Sequence, residues 1–442
     1  MNDTSVFYRS PHLHMPVAAG GHGAWMIDNT GRRYIDSCSG VAVCNLGYQH
    51  QKVIDALQEQ AQNLAYAYAG VFRNEAAEAL ANFLVQRSPG LGRAYFLSSG
   101  SEIMEIALKT ALQYFVEIGQ PSRHLIISRH QNYHGSTLGV LAISGNRQRR
   151  DIFDTVLNTG EFVSPCYAYR NRLLHEGDAD YVARLALELE QKILVLGPNR
   201  VAAFVAETVV GSTSGAVPPL VGYFKAIQAV CKRYGVLLVL DEVMCGLGRT
   251  GYLFACQEDD VRPDIITLGK GLAAGYQPIS AMLVTEAIHE AIAQGSGSLR
   301  NGQTFAFHAT ACATALAVQR IVEEEGLIAQ VRQQGPRFQK MLTEALDGFP
   351  HVGDIRGRGL FIGIEWVIEQ GYTTPLPPDS ARSARIRAYA LERGLLCYPM
   401  HGTIDGVHGD HVLFAPPFVS TDADLETMIS LFAEVARHTL LG

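Results

Sequence analysis

The stretch VLLVLDEVMCGLGRTG, Val236–Gly251, decides how the chain is read. An apolar, β-like run ends on Asp241 and Glu242, and Gly246, Gly248 and Gly251 follow. Those glycines spell G-x-G-x-x-G after a strand, the outline of a dinucleotide-binding turn. In such a turn the strand runs straight into the glycines and a helix opens on them. Here DEVMC intervenes, and YLFACQEDD beyond Gly251 carries no long amphipathic pattern. The weight therefore moves to Asp241. An acid at the end of a buried strand is costly unless paired. Asp241 either holds a protonated heterocyclic nitrogen or answers a structural arginine.

Outward from this strand, β and α patterns alternate. RAYFL, HLIIS, VAAFVAE, DIITL and ISAMLV read as strands. SEIMEIALKTALQYFVEIG, LVGYFKAIQAVCKRYG and TACATALAVQRIVEEEG read as helices, the second ending on Gly235. Near-continuous apolar strands between helices imply an α/β fold with a mostly parallel sheet covered on both faces. Upstream, GAWMIDNTGRRYIDSCSG reads as a hairpin turning at Asn29-Thr30-Gly31, followed by helical HQKVIDALQEQAQNLA and NEAAEALANFLVQRS. Beyond about residue 325 the texture changes to a smaller α+β domain. There Pro336 is expected to break or kink IAQVRQQGPRFQKMLTEALDG. The divisions expected are an N-terminal segment over 1–60 packing with the small domain, a large domain over 61–325 and the small domain over 326–442.

Bulk properties exclude several classes. The 442 residues are 48% hydrophobic and 18% charged, a globular balance. The net charge of −7 and the lack of a basic block argue against a nucleic-acid partner. The short run Arg147–Arg150 reads as a solvated turn. No apolar run reaches roughly 18 residues, so no membrane span is expected. No secretory signal is visible at the N-terminus. Eight cysteines without a C-x-x-C pair read as buried thiols of a reducing, cytoplasmic compartment. His12, His14 and His22, and His401, His408 and His411, lack helical metal-ligand spacing and read as loop residues, so no metal is expected.

Open α/β sheets place ligands at the carboxyl ends of their strands. After RAYFL come Ser98 to Glu102 opening a helix, whose free N–H groups suit an anion. After HLIIS comes RHQNYHGST, with Tyr133 suited to lie over a flat ligand. VAAFVAE ends on Glu207. After DIITL, Lys270 stands between two glycines, where burial would lower its pKa and free the neutral amine as a nucleophile. An anion site, an aromatic lid, a buried acid and a nucleophilic lysine are together what pyridoxal phosphate needs.

These blocks carry a resemblance. LVLDEVMCGLGRTG…PDIITLGKGLAAGYQPISA resembles the signature of the class III (subgroup II) aminotransferases, of the pyridoxal-phosphate-dependent fold type I. SSGSEIMEIALK, YHGSTLG, GQTFAFHATACATALA and IRGRGLFIGIE are similar to further family blocks, in the family's order. The resemblance implies Lys270 as the Schiff-base lysine and proton shuttle, and Asp241 at the pyridine nitrogen. It implies Val243 and Tyr133 on opposite ring faces, Gly100 and Ser101 at the phosphate, and Glu207 near cofactor and substrate. Thr304 would reach the phosphate of a neighbouring subunit, implying a homodimer with shared sites. Arg249 is implied as structural. The implied reaction is ping-pong transfer from a primary amine or ω-amino acid to a 2-oxo acid, pyruvate foremost, within the amine/ω-amino acid:pyruvate branch. Aminomutase and decarboxylase members share the cofactor residues and form the alternative; a nicotinamide dehydrogenase is the remote one. Four departures bear on substrate. Met244 replaces the glutamine of the 4-aminobutyrate and ornithine members, and Val412 and Gly406 stand where carboxylate-binding arginines are expected. A small residue, Ala42, stands near a tryptophan position of amine-using members. Arg73 or Arg356 is a candidate to supply the missing charge.

Overall fold

The computed structural model describes residues 4–10, 12–13, 15–158, 160–379 and 381–441, so His14 lies outside the described residues. The strands are β1 (Ala18–His22), β2 (Trp25–Asp28), β3 (Arg33–Asp36), β4 (Arg93–Leu97), β5 (Leu125–Arg129), β6 (Glu161–Val163), β7 (Val201–Glu207), β8 (Leu237–Asp241), β9 (Ile265–Leu268), β10 (Ser280–Val284), β11 (Val352–Arg358), β12 (Phe361–Trp366), β13 (Leu395–Leu396), β14 (Tyr398–His401) and β15 (Asp410–Phe414). The central sheet has seven strands in the order β4-β10-β9-β8-β7-β5-β6. Only β10 runs against its neighbours.

Alternation along the central strands explains the two-sided cover. From β7 and β8, Phe204, Ala206, Leu238 and Leu240 pack with the helices Asp178–Leu196 and Tyr223–Tyr234. Ala203, Val205, Leu237 and Val239 pack on the other face with Ile103, Ile106 and Ala107 of the helix Gly100–Glu117. The Tyr223–Tyr234 helix stops on Gly235, whose φ of 63° is the left-handed value that favours glycine at a helix end. The Asp178–Leu196 helix is an addition to the sequence reading, although Tyr181, Val182, Leu185, Leu189 and Ile193 mark its buried face at helical spacing.

The N-terminal hairpin turns where expected. Asp28 Oδ1 accepts from the Thr30 and Arg32 amides at 2.9 and 3.0 Å, closing the turn around Gly31. β3 then pairs in parallel with β13 from near the other end of the chain, completing a sheet β1-β2-β3-β13. The third sheet, β11-β12-β15-β14, is antiparallel. Pro336 does not split its segment: one helix runs over Leu327–Ala345. The proline removes a single N–H donor, and Val331, Phe338 and Leu342 hold both halves in one core. The helix Ala309–Glu324 joins the cores, with Cys312 and Leu316 in one and Val318 and Ile321 in the other.

The loop after β8 is not a dinucleotide turn. No long helix opens on Gly246–Gly251; turns and a short 3-10 segment at Ala255–Gln257 follow. Arg249 is buried there and donates to the carbonyls of Leu360 (3.1 Å) and Pro416 (2.6 Å) and to Asn45 Oδ1 (2.6 Å). The loop is thus a knot between sequence-distant segments. A second close approach joins β12 to the loop after β7: a methyl group on Gly363 would overlap the Gly215 carbonyl. Gly363→Ala is therefore expected to destabilise the fold by about 1–3 kcal/mol. Thermal denaturation would show this as a lower melting temperature, and an unchanged one would contradict so tight an approach.

Candidate active site

The strand ends converge on one cavity of about 350 Å³. Lys270, Asp241, Val243, Glu207, Tyr133, Gly100 and Ser101 all line it. Thr304 does not; it is exposed on the segment between β10 and the Ala309–Glu324 helix.

Lys270 follows β9 across Gly269 and adopts a φ of 44°, a strained left-handed conformation for a residue with a side chain. Its Nζ donates to the Val41 carbonyl at 3.0 Å. The surrounding protein desolvates the amine and lowers its pKa to about 8, against the opposing pull of Asp241 and Glu207. Asp241 ends β8 and is buried. Its Oδ1 accepts from the Val243 amide at 3.0 Å, and its Oδ2 meets His134 Nδ1 at 2.8 Å.

The surrounding hydrogen bonds decide the His134 tautomer. The Asn132 Oδ1 accepts from the Gly145 amide, leaving Asn132 Nδ2 to donate to His134 Nε2 at 2.7 Å. Nε2 is then an acceptor, so the ring proton sits on Nδ1 and points at Asp241. His134 and Asn132 were missed as site residues. The signal, YHG beside Tyr133, was visible, but the meeting with Asp241 requires β5 and β8 to lie in one sheet with β7 between them.

Glu207 ends β7 and accepts from the amides of Tyr133 (3.1 Å) and Gly211 (2.7 Å). Burial raises its pKa, with the nearby Asp241 charge adding to the rise and the two amides partly offsetting it. Across the cavity the helix Gly100–Glu117 presents its N-terminus, capped by Ser99, whose Oγ accepts from the Glu102 amide at 3.2 Å. A methyl group on Gly100 would lie 3.0 Å from Val243 Cγ1, so glycine leaves the helix start open. Ser101 Oγ accepts from the Ser136 amide at 3.0 Å. An open helix N-terminus, a buried acid and a desolvated lysine around one cavity fit a phosphorylated pyridine aldehyde.

The expected substitutes for a carboxylate clamp do not line this cavity. Arg356 is buried and spent on Glu365 (2.7 Å), Asp354 (3.0 Å) and the Gly215 carbonyl (3.0 Å). Arg73 is exposed and lies 3.8 Å from Glu78. Val412 is buried in β15 and Gly406 sits in a turn with φ 90°. The Arg147–Arg150 run corrects the sequence reading. It forms a short helical turn, Arg150 is buried, and Arg149 faces the cavity 4.3 Å from the centroid of the Tyr133 ring. Cation–π attraction draws a guanidinium onto such a face.

A model of the family described as aminotransferase class-III matches residues 8–436. This chain belongs to that family. The class III aminotransferases depend on pyridoxal phosphate, and fold type I is the arrangement this aminotransferase shares with its structural neighbours. An uncharacterized aminotransferase of Schizosaccharomyces pombe is 41% identical, covering 98% of this chain and 95% of its own. The diaminobutyrate–2-oxoglutarate transaminase of Halomonas elongata is 34% identical over 94% of this chain and 88% of its own. The ω-transaminase of Pseudomonas jessenii, solved in complex with PMP, superposes with a TM-score of 0.91 at 31% identity, covering 98% of this chain and 94% of the other.

A pH dependence follows for this aminotransferase. The Lys270 amine is neutral above its lowered pKa, so its capacity to capture pyridoxal phosphate increases as pH rises through about 8. Stopped-flow absorbance of apoenzyme mixed with pyridoxal phosphate should give an initial rate with that midpoint. A midpoint near the ordinary lysine value of roughly 10.4 would contradict the desolvation.

Proposed function

We propose that this aminotransferase takes the amino group of a primary amine or ω-amino acid and delivers it to a 2-oxo acid, pyruvate foremost, in two successive half-reactions. One observation carries the reading: the desolvated Lys270 amine and the His134-bound Asp241 carboxylate face one cavity at neighbouring strand ends. The bound cofactor supplies the electron sink for charge developing at the substrate Cα. Lys270 would hold the cofactor between turnovers, and its amine, once released, would move the proton at the substrate Cα. Asp241 would keep a proton on the ring nitrogen, and His134, donating through Nδ1, orients Asp241 and stabilises its charge. Tyr133 and Val243, which line the same cavity, would hold the ring between them. Gly100 and Ser101 would receive the phosphate at the helix start. Glu207, anchored by two amides, borders the substrate.

Pyruvate is favoured over a dicarboxylic acceptor because Val412 stands in buried β15 where a second clamp is expected. We also infer a homodimer. Phe305, next to Thr304 in the chain, and Tyr66, whose ring meets Phe305 at 6.2 Å, expose apolar surface, as do Leu64, Tyr68, Val71 and Phe72 of the Tyr66 segment, and such patches mark interfaces. Thr304 would then reach the partner's phosphate. Eight unpaired cysteines support a reducing, cytoplasmic setting.

Individual amines and amino acids mixed with holoenzyme should bleach the lysine-bound cofactor absorption, and pyruvate should restore it with formation of alanine. Lys270→Ala should abolish both that absorption and turnover. Bleaching by no member of a broad amine panel would sink the transaminase reading. Sedimentation equilibrium should give a dimer, and Thr304→Ala should weaken cofactor retention; a monomer with intact turnover would reject the shared site.

A further inference from the structure

We propose that Arg149 is the specificity-determining residue of this site, a guanidinium that receives the carboxylate of the 2-oxo acid or amino acid; this rests on the transaminase reading above. The cavity's acids are already engaged. Asp241 is held by His134 and the Val243 amide, and Glu207 by the amides of Tyr133 and Gly211. Arg149 lines the same cavity, half-buried, and among the described residues its guanidinium stacks on the Tyr133 ring. Its guanidinium has no hydrogen-bond or carboxylate partner among them, unlike that of Arg150, which bonds Asp154 at 3.0 Å. Five N–H donors in a planar fork are therefore left for a ligand, and that fork matches a carboxylate bidentately.

Position supports the assignment. The positive charge of Arg149 is among those that Lys270 feels, so it stands near the reacting amine. Stacking against Tyr133 holds the guanidinium beside the ring proposed to cover the cofactor. The turn bearing Gly406 packs against the same segment: a methyl group on Gly406 would lie 3.1 Å from the Gln148 amide nitrogen. Gly406 thus brings its turn close to the arginine segment without adding a side chain there. Among the described residues, the one other arginine lining the cavity is Arg9, which comes from the exposed N-terminal segment and stacks on no described aromatic ring.

The test compares anionic with neutral partners in the holoenzyme. Arg149→Gln should lower kcat/KM for the pyruvate and alanine half-reactions roughly 10- to 100-fold, the range for losing a hydrogen bond to a charged group. The half-reaction with benzylamine, which carries no carboxylate, should stay within about twofold, and Arg149→Lys should recover part of the loss. Independently of turnover, titration of the holoenzyme with unreactive propionate should perturb the cofactor absorption in the wild type and not in Arg149→Gln. Equal losses on pyruvate and benzylamine, or weakened cofactor retention, would overturn the assignment in favour of a role toward the cofactor or the fold. A selective loss in Arg9→Gln with Arg149→Gln unaffected would also overturn it. Failure of the transaminase reading itself shows differently, as wild-type holoenzyme that bleaches with no amine, and the propionate titration still decides Arg149.

Discussion

The contact between His134 Nδ1 and Asp241 Oδ2 is the constraint on which the site depends. An anionic carboxylate at the end of an apolar strand would be costly to bury alone. The fold answers with one histidine proton and one backbone amide, both fixed in direction. Asn132 fixes the histidine by donating to its far nitrogen, and the Gly145 amide fixes Asn132. The chain of bonds runs from Gly145, just ahead of the Arg147–Arg150 turn, through the loop after β5 to the end of β8. A charge is thereby held steady at the floor of a cavity without a structural arginine to neutralise it. An arginine would have satisfied the carboxylate and removed it from chemistry; a neutral histidine orients it and leaves its charge in place.

The remainder of the site follows from the sheet. Parallel strands β5, β7, β8 and β9 end at one edge, so Tyr133, Glu207, Asp241 and Lys270 arrive there together although widely separated in the chain. The same apolar strands that build the core desolvate Lys270, so stability and reactivity share a cause. Distant segments close the arrangement. Val41 from the N-terminal region accepts the Lys270 proton donor, and Arg249 ties the β8 loop to Asn45, Leu360 and Pro416.

Much of this was legible beforehand. β4, β5, β7, β8 and β9 stand out as short apolar runs, and each ends on, or leads into, a residue that lines the cavity. The Gly235 helix stop and the Asn29–Gly31 turn rest on local backbone preferences that tertiary packing did not override. Elsewhere local rules gave the wrong weight. Pro336 looks like a helix breaker, yet burial of Val331 and Phe338 on either side outweighs one lost hydrogen bond. Arg147–Arg150 looks like a solvated run, because four neighbouring polar residues say nothing about which of them meets a cavity. One is buried, one stacks on Tyr133, and two are exposed.

The sequence alone determined the chemistry's components: a strand-end acid, a lysine between glycines, a small-residue helix start and an aromatic loop, in an order that resembles one family. These are local features, written in residue type and spacing. Tertiary structure alone decided their partners. Which imidazole proton meets Asp241, which arginine is already paired and which stays free depend on distances between segments far apart in the chain. Hydrogen bonds and ion pairs fall off within a few ångströms, and only the packed sheet brings those segments within that reach.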